Sequence, residues 1–130
     1  MRISEKYLKD LLREVVSLRA AGRCEFPGCI NVQCDPHHAY SQSNNAIKYD
    51  FESCINLCDT HHNNSSAAPH RSKLQFKKIM IENLVRSEEW FDAVMCKAHT
   101  QRKDDNYFRE EWKAKLLAEL KRLGVRGWRK

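Results

Sequence analysis

The stretch that decides the fold is CEFPGCINVQCDPHHAYSQSNNAIKYDFESCINLCDTHHNNSSAAPH, residues 24–70 of a 130-residue chain. It contains five of the six cysteines and five of the six histidines. Cysteine thiolates and imidazoles are the ligands that zinc and similar metal ions prefer. Because these groups are more than one tetrahedral site can use, the stretch predicts two metal sites, one structural and one chemical.

The spacing of four of these residues predicts the structural site. Cys24 and Cys29 flank a Pro-Gly turn, and Cys58 and His61 are three residues apart. Two such pairs, separated by a few tens of residues, are typical of a tetrahedral Cys3His zinc site. The ion would stabilise a middle segment that has few core-forming residues of its own.

The other cysteines admit a second interpretation. Cys34 and Cys54 lie near predicted strands and compete as ligands, but we interpret both as core residues, since a free cysteine behaves as a small hydrophobe. Cys96 lies among apolar helix residues and is predicted to be buried. A disulfide scaffold is the alternative to metal binding, and it leaves the accompanying histidines unexplained.

Composition limits the class of protein. A chain of this length predicts one domain over residues 1–130. The formal net charge of +6 favours a polyanion such as nucleic acid as partner. No apolar run approaches the length of a membrane span. The start, MRISEKYLKDLL, has charges inside its apolar pattern and does not resemble a signal peptide, so we expect a reducing, cytoplasmic environment.

Hydrophobic periodicity predicts an α+β fold that is mostly helical. An N-terminal helix within residues 1–22 follows from apolar residues at helical spacing, with Ser4 as its cap and Gly22 as its stop. The best strand candidates are 35–40 and 54–57, and the polar runs at 41–45 and 63–69 are predicted loops. Helical character returns from Ser72 to about residue 86, from Ser87 onward, and from Asp104 or Asp105 to Gly124.

The remaining histidines predict the chemical site. His37 and His38 are adjacent, and adjacent side chains on a strand point to opposite faces. One of the two is therefore expected to bind a metal ion while the other activates water. His62 follows the predicted zinc ligand His61 directly and is expected to belong to the same chemical site as His37 and His38.

Taken together, C-x4-C with Pro-Gly inside, CDPHH and LCDTHH resemble the zinc-stapled branch of the HNH endonucleases, the ββα-metal nucleases, which has many phage and bacterial members. The resemblance covers about residues 24–78. It implies a zinc-bound ββα-metal core over 23–78, flanked by the N-terminal helix and by two to three helices in a C-terminal extension over 79–130. It also implies a DNA endonuclease, a structural Zn²⁺ and a catalytic divalent cation, which is Mg²⁺, Mn²⁺, Ni²⁺ or Zn²⁺.

The resemblance also implies roles for individual residues. His38 matches the general base that deprotonates the attacking water. His37, His62 and His70 match the ligands of the catalytic ion. The chain departs from the family at position 53, where serine stands in place of the asparagine that helps to orient the base. The Ser53 hydroxyl cannot make both contacts of that amide. Asn56 replaces the asparagine only if the register is bulged, and a backbone carbonyl is the other candidate for orienting the base.

Cations near the motif are the predicted DNA contacts, through phosphates and without sequence preference; they are Lys48, Arg71, Lys73, Lys77 and Lys78. A homodimer through the helical extensions is a further possibility. The alternatives to a nuclease are a zinc-stabilised nucleic-acid-binding module that does not cleave, and a structural zinc protein that binds other proteins.

Overall fold

The computed structural model describes residues 2–40, 45–126 and 128. Residues 41–44, in one of the two predicted loops, lie outside this set. The described residues form a mostly helical α+β fold, as the sequence predicts. Its elements are α1 (Glu5–Arg19), β1 (Cys34–His38), β2 (Cys54–Cys58), α2 (Lys73–Glu82), α3 (Glu88–Ala98) and α4 (Asn106–Arg122).

Helix α1 forms because its apolar residues recur at helical spacing on one face. The Ser4 side chain accepts a hydrogen bond from the Tyr7 amide, which confirms the predicted cap. The helix ends at Arg19, three residues before the predicted stop, and the chain turns away with positive φ angles at Ala21 (54°) and Gly22 (76°). The predicted face is buried; it consists of Leu8, Leu11, Leu12, Val15 and Val16.

Helix α4 packs on α1 and closes the larger of the two main apolar cores; the described residues also form a small third one, of Ile47, Val94 and Ala98. Asp105, not Asp104, caps it by accepting a hydrogen bond from the Phe108 amide at 2.9 Å. Trp112 is a core residue. The core side chains of α4 are Phe108, Trp112, Leu116 and Leu120.

The two strands form an antiparallel sheet in which Cys34 pairs with Cys58 and His38 pairs with Cys54. A second apolar core lies against this sheet and joins it to α2 and α3. Its buried members include Ile55, Leu57, Phe76, Met80 and Phe91. The sheet is therefore held by helices, and its two ends carry the predicted metal ligands Cys58 and His37.

The predicted caps of α2 and α3 are also confirmed. Ser72 accepts a hydrogen bond from the Gln75 amide, and Ser87 accepts one from the Trp90 amide. Among the described residues, none of the helices has both the length and the apolar character needed to cross a membrane.

Two candidate metal centres

The first centre is built on a turn and on the end of a strand. The Cys29 amide donates to the Phe26 carbonyl at 3.0 Å, and Gly28 takes a φ of 79°, which glycine adopts without strain. The Cys24 amide donates to the Asn31 carbonyl at 2.8 Å. This turn directs both cysteine side chains toward Cys58, the last residue of β2.

His61 completes the group from a short π-helical turn, Thr60–Asn64, that follows β2. The Sγ atoms of Cys29 and Cys58 are 3.9 Å apart. His61 Nδ1 lies 3.3 Å from Cys58 Sγ and 3.7 Å from Cys24 Sγ. We name these four residues the cysteine centre.

The cysteine centre is positioned to hold a metal ion. All four ligand atoms lie within 4.8 Å of one another. Ideal tetrahedral zinc, with its usual bond lengths, would place sulfurs about 3.8 Å apart and nitrogen about 3.6 Å from sulfur. The observed separations are close to these values. The Phe26 ring stacks on the His61 ring, with centroids 4.2 Å apart and an interplanar angle of 6°, and so covers one side.

Electrostatics divide the thiols of this centre. Burial opposes ionisation of Cys58, but hydrogen bonds from the Asn31 side chain and from His61 outweigh it and lower the pKa of this thiol to about 6. Burial raises the pKa of the Cys24 thiol to about 12. The hydrogen bonds thus favour the thiolate of Cys58, and a cation bound at this centre would displace the thiol protons that remain.

The other three cysteines lie outside this centre. Cys54 is buried in the larger core and donates to the Asp50 carbonyl, and Cys34 is partly buried and contacts the Asn31 carbonyl. Both positions agree with the core interpretation. The prediction that Cys96 is buried is wrong. It lies two residues after the buried Val94, which places it on the outer face of α3.

The second centre brings together three imidazoles from three segments. His37 comes from β1, His62 from the π-helical turn and His70 from the segment before α2. His37 Nδ1 is 3.3 Å from His62 Nε2, and His70 Nε2 is 3.0 Å from the same atom. These spacings are close to those of nitrogens that share an ion at the usual bond length of about 2.1 Å. We name these residues the histidine centre.

Local structure explains why His61 and His62 serve different centres. The Asp59 carboxylate accepts hydrogen bonds from the side-chain amides of Asn63, at 2.9 Å, and Asn64, at 2.7 Å. These bonds close the π-helical turn, and the turn directs two adjacent imidazoles to different neighbours. The position of one centre is therefore tied to that of the other.

Two imidazoles of the histidine centre, those of His37 and His62, have lowered pKa values, which favours the neutral form that binds metal. Burial, reinforced by the nearby His62 and His70, lowers the pKa of His37 to about 3. Burial and His70 also lower the pKa of His62. Neutral imidazoles keep a lone pair for an ion.

His38 points elsewhere, as strand alternation predicts. Its Nε2 lies 2.9 Å from the Lys48 carbonyl oxygen. Because a carbonyl only accepts, Nε2 carries the proton and Nδ1 keeps the lone pair in the neutral ring. Burial lowers the pKa of His38, although its bond to the Lys48 carbonyl opposes the shift. His38 and the histidine centre line one cleft of about 420 Å³.

Neither Ser53 nor Asn56 hydrogen-bonds the His38 ring, so the prediction that one of them orients this ring is corrected. The Ser53 hydroxyl donates to Asp50 at 2.7 Å, inside the protein. The Asn56 side chain donates to the Arg23 carbonyl at 3.0 Å. Both side chains brace neighbouring turns, and the backbone carbonyl of Lys48 occupies the place considered for them.

The predicted cationic residues fall into two groups. Lys73 and Lys77, one turn apart on α2, line the cleft. Arg71 is exposed beside it, and its Nε donates to the Asn63 carbonyl at 3.3 Å. Lys78 lies 3.9 Å from Glu82, at the surface. Lys48 differs, because its ammonium group already pairs with Glu5 and Asp104, both at 2.9 Å. Its position does not favour a phosphate contact.

The sequence-based reasoning missed several residues that shape the site. The role of the Lys48 carbonyl and the ion pairs of Asp104 arise from long-range contacts that no local spacing reveals. The Asp59 contacts had a weak signal, an aspartate four and five residues before two asparagines.

Comparison of the chain with protein families, with curated proteins and with solved structures found no match.

Proposed function

We propose that this protein is a metal-dependent endonuclease of the HNH type that hydrolyses DNA phosphodiester bonds. One observation carries the proposal: three imidazoles converge within 4.8 Å of one another, and a fourth, oriented separately, lines the same cleft. Hydrolysis of a phosphodiester needs a base for water and a cation for the phosphate, and the cleft has residues suited to both.

In this proposal the two centres have different tasks. The cysteine centre holds Zn²⁺ and fixes the turn that carries His61 and His62. The histidine centre holds a divalent cation, which when bound supplies Lewis-acid stabilisation of the scissile phosphate and of the leaving oxygen. Ligation by imidazoles alone favours Mn²⁺, Ni²⁺ or Zn²⁺ over Mg²⁺, because Mg²⁺ prefers oxygen ligands.

His38 acts as the general base. Its Nε2–H donates to the Lys48 carbonyl, so the lone pair of Nδ1 accepts the proton of the attacking water. The lowered pKa of His38 keeps the ring neutral, and therefore able to accept that proton, near neutral pH.

DNA binds through its phosphates. Lys73 and Lys77 present two positive charges to the cleft, and Arg71 adds a third at its edge. Contacts of this kind give affinity without base specificity and weaken as salt concentration rises.

Plasmid cleavage tests the proposal. The protein is incubated with supercoiled DNA and Mn²⁺, Ni²⁺, Zn²⁺ or Mg²⁺, next to the variants His38→Ala and His99→Ala. His99 is a matched control, since it is exposed at the end of α3 and its ring bonds only to the Met95 carbonyl among the contacts described. We expect cleavage by the wild type and by His99→Ala, and a loss of about 100-fold or more in His38→Ala.

Two outcomes would contradict the proposal. DNA retention without cleavage under every ion would reject the nuclease and indicate a binding module. Cleavage by His38→Ala at the wild-type rate would reject His38 as the base.

A further inference from the structure

A partly buried ion cluster lies behind His38, away from both metal centres. The Asp104 carboxylate, which precedes α4, accepts hydrogen bonds from Lys48 Nζ at 2.9 Å and from the Tyr49 hydroxyl at 3.0 Å. Arg109 of α4 binds the same carboxylate through Nε at 2.8 Å and through a terminal nitrogen at 3.1 Å. The side chains of Lys48 and Asp104 are only 16% and 11% exposed.

This cluster is anchored to the helices on both sides. Arg109 also donates to the Ile3 carbonyl at 2.9 Å, and Lys48 also pairs with Glu5 of α1. Hydrogen bonds from Arg109, Lys48 and Tyr49 outweigh burial and hold the pKa of Asp104 below its ordinary value. The carboxylate is therefore ionised, and it joins α1, α4 and the segment before β2.

The cluster holds the peptide unit between Lys48 and Tyr49 in place. The carbonyl that accepts from His38 belongs to the peptide between Lys48 and Tyr49. Both of these residues bind the same oxygen of Asp104, Oδ2, through their side chains. The side chains on either side of the peptide are thus tied to one point, which fixes where its carbonyl oxygen points.

We propose that Asp104 is a positioning residue that orients the base His38 through the peptide between Lys48 and Tyr49. The kinetic consequence rests on the proposed endonuclease function, whereas the structural consequence does not. In the proposed reaction, the helical extension beyond residue 79 contributes Asp104 as well as apolar core residues. It supplies the charge that holds the base in one tautomer and one orientation.

Orientation matters because a general base accepts a proton only when its lone pair, here on His38 Nδ1, points at the attacking water. Without the charge on Asp104, Lys48 is left with the half-exposed Glu5 as its partner, and Arg109 loses its carboxylate. The 48–49 peptide then gains rotational freedom, and the His38 ring no longer has a fixed acceptor for its Nε2–H. Loss of the outer partner of a metal-ligating histidine costs about 10–100-fold in metal affinity or activity, and we expect a loss of the same order for the base.

The test uses the full chain, loaded with zinc; Mn²⁺ is added for the kinetics and left out of the NMR samples, because this paramagnetic ion would broaden the His38 signals. The variants are Asp104→Asn, Lys48→Met, which keeps the carbonyl, and the conservative Asp104→Glu. Glu119→Gln is the matched control, because Glu119 is equally buried at 9% exposure and binds Arg19 and Arg122 between α1 and α4, far along the helix from Lys48. Readouts are kcat and KM on DNA, metal content, and the tautomer of His38 from its ring ¹⁵N shifts.

We expect Asp104→Asn and Lys48→Met each to lower kcat about tenfold or more, with KM and metal content unchanged. Their double variant should be no worse than either alone, and Asp104→Glu should recover part of the loss. The His38 signal should move from a single Nε2–H tautomer toward the mixture of a free imidazole. Glu119→Gln should lose stability and leave both kcat and the tautomer unchanged.

The positioning role is rejected if Asp104→Asn leaves the tautomer and kcat as they are, or if Glu119→Gln lowers kcat equally. Should Asp104→Asn fail to fold, Lys48→Met decides by the same readouts. If the wild type cleaves no DNA, the endonuclease proposal fails, and the ¹⁵N measurement still decides whether Asp104 orients His38.

Discussion

The cysteine centre and the histidine centre are neighbours that differ in closure. In the cysteine centre the chain offers four candidate ligands, Cys24 and Cys58 are only 5% and 3% exposed, and Phe26 covers His61. In the histidine centre the described chain supplies three ligands, His70 is exposed, and the group faces a cleft. Closed four-ligand sites are typical of structural metal ions, and three-ligand sites with an open position are typical of catalytic ones.

The difference shows that two adjacent residues, His61 and His62, can belong to two centres of different kinds, one suited to a structural ion and one to a catalytic ion. His61 and His62 leave the same π-helical turn, yet one meets sulfur and aromatic carbon, and the other meets imidazoles at a cleft. An ion in the closed centre would hold the turn, and the turn in turn sets the geometry of the open centre. The first two predictions below each change one side of this division, and the third leaves both centres unchanged.

The largest effect is expected when the closed centre is broken. Cys58→Ser replaces a thiolate that zinc prefers with a poor ligand, and the free energy of zinc binding at such sites, roughly 10 kcal/mol or more, is also folding free energy. We expect Cys58→Ser to bind no zinc at this centre and to lose its cooperative melting transition, measured by calorimetry and elemental analysis.

Cys96→Ser is the control for that change, because Cys96 is exposed and lies outside the centre. It should melt like the wild type and retain its zinc. Equal melting of the Cys58→Ser and Cys96→Ser proteins would show that the cysteine centre has no structural role.

The next effect separates the two adjacent histidines. His62→Ala removes the central ligand of the histidine centre, so we expect loss of Mn²⁺ binding by titration and about 100-fold or more slower DNA cleavage. The melting temperature of His62→Ala should stay near that of the wild type. His61→Ala, one residue away, should instead lower the melting temperature sharply, and identical behaviour of the two variants would contradict the division.

Much of this arrangement is predictable from the sequence, because its signals are local. The ligands of the cysteine centre follow from paired spacing, and the caps Ser4, Ser72 and Ser87 follow from side chains that accept backbone amides. Helix α1 follows from its apolar period. These features depend on residues a few positions apart, and a single sequence displays them directly.

The rest depends on contacts across the chain. The sequence alone suggests that Lys48 is a free cation, but in the structure it pairs with Asp104, 56 residues later. Ser53 and Asn56 read as partners of the base until the structure shows them bound to Asp50 and Arg23. Tertiary packing decides which partner a polar side chain finds, and spacing along one sequence does not contain that choice.

The smallest effect is expected at Tyr49, in the ion cluster behind His38, and its test leaves both metal centres unchanged. Burial raises the pKa of Tyr49 from 10.0 to about 12, so folding favours its neutral phenol. The stability from this group is fully present below pH 10.0, the ordinary pKa, and is lost as the pH rises toward about 12. We expect the wild type to lose stability over this range in urea titrations, and Tyr49→Phe to lose less.

Tyr107→Phe is the control, since Tyr107 is 78% exposed. It should follow the wild-type curve. Parallel curves for Tyr49→Phe and the wild type would show that the phenol titrates as it does in the unfolded chain.

The most direct test of the two-centre account is a crystal structure of the chelator-washed protein, before and after a Mn²⁺ soak, with anomalous data at the zinc and manganese edges. The account predicts one zinc peak among Cys24, Cys29, Cys58 and His61 that survives the wash. It also predicts a manganese peak among His37, His62 and His70 only after the soak. A single shared ion, or manganese bound anywhere except the histidine centre, would contradict it.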